Sequence, residues 1–532
     1  MLAVQVVTAF GAEVDQLPRA AATNFLRADE VIMITYGNSV QLQSGPHLPS
    51  LGRFLSDHLA DVFSTIHVLP FFPSSSDGGF AVVDFYSVAE SLGTWKDLGD
   101  TGGSELMVDL VCNHGSAQSE WFAEFVADSE PGRSMFKTAS PSDDLSMVVR
   151  PRTHPLLLAV DTAAGQRHVW VTFSEDQADF DFANPAVLIE FCKILGTYVQ
   201  HGATRIRLDA IAYLWKTLGT RCIHLPETHE IVKLMRSLVE TYDPHILLIT
   251  ETNVPHHDNV SYFGEGDEAH VVYNFTLAPL IVWSLMAQRS DVLTTWLQRL
   301  DPPPPGCAFL NFLASHDGIG LRPIEDLIAP DELNDLAEAV YGAGGDYSSY
   351  STPTGERPYE LNVSLVDLLA GSSGETAPRF LVAHALMLAL QGIPALYVHS
   401  VLVSPGDTQA VVASGHKRDI NRASLSYAQA EQRVSSGWRG ATHRQLVHMV
   451  RVRRAHADFG PEAPQEIVEL DPSVVAIRRG PILAIHNVTD RPVALTHQLP
   501  AGGPDWDLIA EERFGGLLAP WQAVWLAPET KR

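Results

Sequence analysis

Residues 207–209 read Arg-Leu-Asp, inside the apolar stretch ATRIRLDA at 203–210. On a β-strand Arg207 and Asp209 project to the same side, so a cation and a carboxylate share one face of a β-branched run. That is either an ion pair on an edge strand or the floor of a reactive pocket. Other polar residues stand in the same kind of place, at the ends of short apolar runs. Asp109, Asn113 and His114 close ELMVDLVCNH (105–114), Glu251 follows HILLIT, His316 and Asp317 follow FLNFLA, and His399 ends IPALYVH. Asp77 and Phe80 lie in FFPSSSDGGF, after STIHVLP (64–70). Taken singly, each has a structural reading: Arg207–Asp209 as a satisfied ion pair, Asp109 as a buried acceptor for backbone N–H groups. Converging on one rim they do not, because packing would favour apolar residues there. Three carboxylates at one mouth suit glycosyl chemistry, with one as nucleophile, one as acid/base and one orienting sugar hydroxyls. In that reading Asp209 attacks an anomeric carbon and Arg207 keeps it ionised. A histidine beside an aspartate can grip vicinal hydroxyls while positive charge develops on the ring.

The elements that must position these residues recur along the chain. Short β-branched runs at 31–37, 64–70, 105–114, 203–210, 245–253, 270–275, 309–317 and 393–399 alternate with helical patterns such as PAVLIEFCKILGTYVQH and ETHEIVKLMRSLVETY. Apolar strands alternating with amphipathic helices predict a parallel sheet covered by helices. Eight such units predict a (β/α)8 barrel, whose functional side chains sit at the C-terminal ends of the strands. A doubly wound open sheet is the alternative, but no Gly-rich dinucleotide fingerprint follows the first strand. The expected division is barrel at 1–114, 185–317 and 377–459, a small β-rich insertion at 115–184 after strand three, and a mobile loop insertion at 318–376 after strand seven. An antiparallel β domain is expected at 460–532, where the pattern changes to short strands and turns. The glycines in TWKDLGDTGGSELM make a poor second barrel helix.

Charge and cysteine usage narrow the function class. Sixty-three acidic against 36 basic residues give a net charge of −27, which argues against nucleic acid and anionic membranes as partners. An anionic substrate therefore needs a local basic pocket. The four cysteines have no pairing or metal-ligand spacing, which suggests a reduced, cytoplasmic protein. The N-terminal stretch lacks a basic leader segment, and no apolar run approaches the length of a membrane span. A monomer or homodimer acting on small molecules is expected.

The motifs DLVCNH (109–114), RIRLDAIAY (205–213), LITETN (248–253) and FLASHD (312–317) resemble, in order and spacing, the four signature regions of the α-amylase superfamily. That resemblance implies Asp209 as nucleophile, Glu251 as general acid/base and Asp317 as transition-state stabiliser, with Arg207, His114 and His316 in the glucose-binding shell. LPFFPSSSDGGF, SHDGIG (315–320), RPR (150–152), YELN (359–362) and RDINR (418–422) are similar to the sucrose-phosphorylase group within that superfamily. This implies that Asp77 and Phe80 hold the donor glucose and that Arg418 lies by the same pocket. Many α-amylases bind calcium near the equivalent of Asn113; the phosphorylase group typically does not, so no metal and no cofactor is expected. Inorganic phosphate is a substrate, and α-glucose 1-phosphate the expected product.

The leaving group is set by the acceptor side. The stretch ITETNVPHHDNVSYFGEGDEAHVVYNF resembles the branch that holds glucosylglycerate and some sucrose 6'-phosphate phosphorylases. Where that branch is expected to read RPRALP and GIPRAINR, this chain has RPRTHP and GHKRDINR, adding His154, His416 and Lys417. Extra cations suit a doubly charged leaving group. The expectation is therefore sucrose 6'-phosphate, with Arg150, Arg152, His154, Arg357, Tyr359, His416 and Lys417 at the acceptor or phosphate. Glucosylglycerate is the near alternative, followed by sucrose and glucosylglycerol. A hydrolase or transglucosidase of the same fold would share every catalytic residue. A non-catalytic amylase-like transporter subunit would instead lack a catalytic carboxylate and carry a membrane helix.

Overall fold

The structure, a computed structural model, describes residues 2–14, 26–100, 102–151, 154–352, 355–370, 376–499 and 503–528. Eight parallel strands close into one barrel: β1 (Ile32–Thr35), β2 (Thr65–Val68), β3 (Glu105–Val111), β4 (Ala203–Asp209), β5 (Leu247–Thr250), β6 (Val271–Tyr273), β7 (Ala308–Phe312) and β8 (Ile393–Tyr397). Each falls on one of the β-branched runs read from the sequence, β7 starting one residue before its run. Neighbours pair in chain order, and β8 returns to β1 with Ile32 opposite Ala395. Nearly every strand residue is buried, which is why these segments read as continuous apolar runs rather than alternating ones.

The covering helices follow the amphipathic pattern, with one exception. After β2 the Gly-rich stretch gives a single turn, Trp95–Leu98, held by a capping box between Thr94 and Asp97. A helix at Leu2–Val14, α1, has no counterpart in the sequence reading; its valines mask a helical face that buries Val6, Phe10 and Val14. It packs on α2 (Pro185–Gln200). The approach depends on Gly196: a Cβ there would lie 2.8 Å from the Phe10 carbonyl oxygen and 3.1 Å from Glu13 Cβ. Gly196→Leu should therefore push α1 off the barrel and destabilise the protein by about 1–3 kcal/mol, read as a fall in the thermal unfolding midpoint. An unchanged midpoint would mean that α1 contributes nothing to stability.

Between β3 and β4 the chain forms the helix Glu120–Val126, the hairpin Leu157–Thr162/Gly165–Trp170, and a short pairing of His114–Ser116 with Gln177–Asp179. The segment after β7, expected as a loop, is mostly regular. It carries the helix Pro330–Gly342, the hairpin Asp346–Thr352/Gly355–Asn362 and the helix Leu365–Ala370. Its Gly, Ser and Tyr content suggests a loop, yet the two arms pair from Asp346↔Asn362 to Thr352↔Gly355 around a bulge at Ser348/Ser349. Ile319–Gly320 adds a third strand beside Glu360 and Leu361. This pairing carries the hairpin to the mouth of the barrel.

Beyond Phe459 an antiparallel sheet is built from 465–468, 474–479, 482–487, 523–527, 506–507 and 512–513. Two buried arginines brace the junction, and Arg479, itself on the sheet, ties it to the barrel side. Arg453 donates to the carbonyls of Phe459 and Gly392, and Arg479 to those of Ala389 and Gly460. Among the described residues no helix is long and apolar enough to cross a membrane.

Candidate active site

The β3–β4 register sets Asp109 directly opposite Arg207, two residues below Asp209. Arg207 Nη1 donates to Asp109 Oδ1 at 2.5 Å and to Asp209 Oδ1 at 2.6 Å. His67 Nε2 lies 2.7 Å from the other Asp109 oxygen. Asp109 is fully buried, so it anchors the arginine from below and leaves Asp209 at the pocket. The guanidinium carbon lies 5.7 Å from the Phe80 ring centre and 5.4 Å from that of Tyr273, an arrangement that attracts the cation to both rings. The Arg-X-Asp pair is thus neither on an edge nor at the surface.

Glu251 follows β5, with Oε2 3.8 Å from Arg207 Nη2. The same oxygen accepts the backbone N–H of Ala210 at 3.1 Å. Ala210 has φ +50°, a left-handed backbone costing about 1–2 kcal/mol for a residue with a Cβ. The turn immediately after the nucleophile candidate is therefore bent to aim a donor at the acid/base candidate.

The loop after β2 supplies Asp77 and Phe80. Its glycines are required by contact: a Cβ at Gly78 would sit 2.6 Å from Arg422 Nη1, and one at Gly79 2.7 Å from the Pro70 carbonyl oxygen. Asp77 faces Arg422 at 3.4 Å and accepts from Gln177 Nε2 at 3.3 Å. His114 Nε2 is 3.1 Å from the Phe80 carbonyl oxygen. The Phe80 ring stacks on His316 at 4.9 Å and 9°, and His316 Nε2 is 3.5 Å from Asp317 Oδ2. Arg418 places Nη1 2.6 Å from Asp317 Oδ1 and clamps Glu360 through Nε and Nη2 at 3.0 and 2.6 Å. One continuous pocket is lined by Asp77, Phe80, His114, Arg207, Asp209, Glu251, His316, Asp317, Tyr359 and Arg418.

Burial sets the protonation states. It raises both Asp209 and Glu251 above the usual carboxylate range, against the pull of Arg207. The closer guanidinium contact is to Asp209, so a proton shared between the two is better placed on Glu251. Asp317 moves the other way: burial would raise it, but Arg418, His316, Arg422 and Arg207 outweigh that and lower it. Burial pushes His316 down to about 3 and lowers His114, so both are neutral hydrogen-bonding groups. The arrangement offers two ionised carboxylates, Asp209 and Asp317, and a protonated one, Glu251, lining one pocket.

The basic residues expected at the acceptor are not brought together. Lys417 Nζ is taken by Asp346 Oδ2 at 2.8 Å and the Tyr347 carbonyl at 2.7 Å. Arg150 donates to the His154 carbonyl, and His154 Nδ1 lies 2.7 Å from the Pro155 carbonyl. His416 and Arg357 are exposed. None of these five lines the pocket, and Arg152 lies outside the described residues. His399, at the end of β8, is buried away from it. Pro151, Phe173, Tyr213, Asn253, Arg322 and Tyr359 also line this pocket. Sequence reading missed Arg322, Asn253, Gln177, Arg422 and Glu360. Asn253, Arg322, Arg422 and Glu360 lie in or beside quoted motifs, but nothing in the spacing singles them out. Asn113 Oδ1 accepts from Lys216 Nζ at 3.0 Å, and Asp179 Oδ2 lies 2.9 Å from the same ammonium, so a lysine supplies the positive charge at that position.

Comparison with known proteins agrees with this geometry. The family of alpha amylase catalytic domains matches residues 58–301. The chain is 42% identical to a glucosylglycerate phosphorylase of Allomeiothermus silvanus, over 93% of this chain and 91% of that protein. It is 38% identical to the glucosylglycerate phosphorylase of Escherichia coli, over 93% and 91%. The solved sucrose 6F-phosphate phosphorylase from Thermoanaerobacter thermosaccharolyticum shares the fold with a TM-score of 0.76 at 23% identity, over 88% of this chain and 94% of that one. A barrel with this carboxylate constellation and these near-full-length relatives belongs to the α-amylase superfamily, in its sucrose-phosphorylase group, and the chain is a glycosyl-transferring enzyme.

Proposed function

We propose that the protein is a retaining phosphorylase that converts glucosylglycerate and inorganic phosphate to α-glucose 1-phosphate and glycerate. The observation that carries this reading is the 38–42% identity, over nearly the whole chain, to glucosylglycerate phosphorylases. The pocket supports it. A sugar phosphate needs a second anion site several bonds from the reacting carbon, and of the cations expected to form one, those among the described residues, His416 and Lys417 included, lie outside the pocket lining. Glucosylglycerate carries its carboxylate two bonds from the glycosidic oxygen, within reach of that lining. The expectation of sucrose 6'-phosphate gives way for both reasons. The four cysteines are free and buried, which suits a reducing compartment such as the cytoplasm.

The proposed mechanism is double displacement. Asp77, His114, Arg207, His316 and Asp317 hold the glucosyl unit against the Phe80 ring. Asp209 attacks the anomeric carbon, the bond to the glycerate oxygen breaks, and Glu251 gives its proton to that oxygen. Glycerate leaves with the proton, and a β-glucosyl ester joins carbon and Asp209. A phosphate oxygen then attacks from the opposite face. The ester bond breaks, its electron pair returns to Asp209, and Glu251 takes the phosphate proton. No oxidant or metal enters the balance.

Phosphorolysis of glucosylglycerate followed by NMR should give α-glucose 1-phosphate as first product, with net retention. Run in reverse with α-glucose 1-phosphate, glycerate should outcompete fructose 6-phosphate, fructose and glycerol. A β-anomer as first product would remove the double displacement. A preference for fructose 6-phosphate would restore the doubly charged acceptor, and release of glucose without phosphate dependence would make the enzyme a hydrolase.

A further inference from the structure

Three cations line the pocket among the described residues: Arg207, Arg322 and Arg418. Arg207 is spent on Asp109 and Asp209, and Arg418 on Asp317 and Glu360. Arg322 forms no ion pair among the described residues. Its guanidinium carbon instead lies 5.4 Å from the Tyr350 ring centre. The nearest carboxylate in sequence, Glu325, is held away from it: both its oxygens accept from the Tyr350 hydroxyl, at 3.0 and 2.9 Å. One tyrosine thus supports the arginine with its ring and occupies the acid that would neutralise it. Asn253 lines the same pocket with a buried Oδ1 that has no partner. The Asn253 amide is fixed against Gly320, where any Cβ would sit 2.6 Å from Nδ2. One pocket therefore holds a guanidinium that is in no ion pair, from the turn after Ile319–Gly320, and an amide oxygen that has no partner, three residues beyond β5.

We propose that Arg322 is a shared anion anchor: it binds the acceptor's carboxylate while that group leaves, and then the phosphate that replaces it at the same carbon. Asn253 takes an acceptor hydroxyl, and Tyr350 positions Arg322. This rests on the phosphorylase reading for phosphate and on the glucosylglycerate reading only for the carboxylate. The two anions use the anomeric carbon in turn, so one cation can serve both, and sharing makes glycerate and phosphate compete. A carboxylate and a phosphate each match the guanidinium fork with two oxygens.

The test reads how the glucosyl-enzyme divides between acceptors. Wild-type and Arg322→Gln enzyme are charged with α-glucosyl fluoride and allowed to partition between water and phosphate, then between water and glycerate. Losing one charge-assisted contact should lower the phosphate-to-water ratio and the glycerate-to-water ratio each by about 10- to 150-fold. Water is the internal reference, so a general loss of active protein leaves both ratios unchanged. Unchanged ratios overturn the proposal, and so does a fall for glycerate alone, which would make Arg322 an acceptor residue only. If Arg322→Gln does not fold, Tyr350→Phe keeps the ring and frees Glu325 to pair with Arg322. Both ratios should then fall together, and unchanged ratios again overturn the proposal. A wild-type enzyme that ignores glycerate defeats the glucosylglycerate reading, while the phosphate-to-water ratio still decides Arg322.

Discussion

Asp209→Asn should abolish turnover, by at least on the order of 10⁴-fold in kcat, while leaving the protein folded. The amide cannot form the glucosyl ester, and no other carboxylate is placed to take over. Asp109 lies beneath Arg207 and is fully buried, Glu251 is on the opposite side of the Arg207 fork, and Asp317 is bound to Arg418. Folding should survive because Arg207 keeps Asp109 as its counter-ion and the amide oxygen can still accept from Nη1. The substitution should even be mildly stabilising. Asp209 is raised by burial and by the neighbouring charges of Glu251 and Asp109, so its ionised form costs the folded state free energy. A group whose folded pKa is raised stabilises the fold below its unfolded pKa and loses that contribution as pH rises through the folded value. The gain from Asp209→Asn should therefore show near neutral pH and fade toward pH 4. Near-normal turnover in the variant would remove Asp209 as nucleophile; a lower unfolding midpoint near neutral pH would remove the electrostatic account.

How much of this could be read before the structure depends on the range of the interaction. Arg207 and Asp209 are two residues apart, and the period of a strand alone puts them on one face. Asp109 joins them through the register of the adjacent parallel strand, which shifts between Leu106 and Met107 and so sets Asp109 opposite Arg207. Strand ends in chain order are legible by the same logic, and so is the barrel. The acceptor side is not. Lys417 reads as an available cation in the basic stretch GHKRDINR, but Asp346, some 70 positions away, neutralises it across a hairpin that the composition did not reveal. Arg322 carried no signal because an arginine after a motif is common, and what frees it is Tyr350 occupying Glu325. Glu360 reaches Arg418 only because Ile319–Gly320 pairs with the hairpin's second arm. The N-terminal helix was hidden by its valines, whose helical face is rewarded only by contact with α2. Local periodicity positions the candidate catalytic carboxylates, whereas long-range pairing decides which charges remain available to a substrate.

Glu251→Gln should separate the two halves of the reaction. Departure of glycerate needs a proton, because an alkoxide leaves poorly, so phosphorolysis of glucosylglycerate should fall by about 10²- to 10⁴-fold. Fluoride leaves without a proton, so α-glucosyl fluoride should still charge Asp209 at a rate far closer to wild type. Capture by phosphate should be the less affected second step, since phosphate is already partly ionised and can lose its remaining proton to solvent where Glu251 no longer takes it. The pH profile carries the same information with a definite sign. Burial raises Glu251 above the ordinary carboxylate range against the pull of Arg207, so the acid form persists to higher pH than for a surface glutamate and is lost as pH rises through the folded pKa. The alkaline limb of kcat/KM for glucosylglycerate is therefore assigned to Glu251, and it should vanish in the glutamine variant. The acid limb, which reports ionisation of Asp209, should remain. Equal losses for glucosylglycerate and the fluoride would show that Glu251 binds the sugar rather than protonating the leaving group. An alkaline limb that survives the substitution would move the proton donor to another residue.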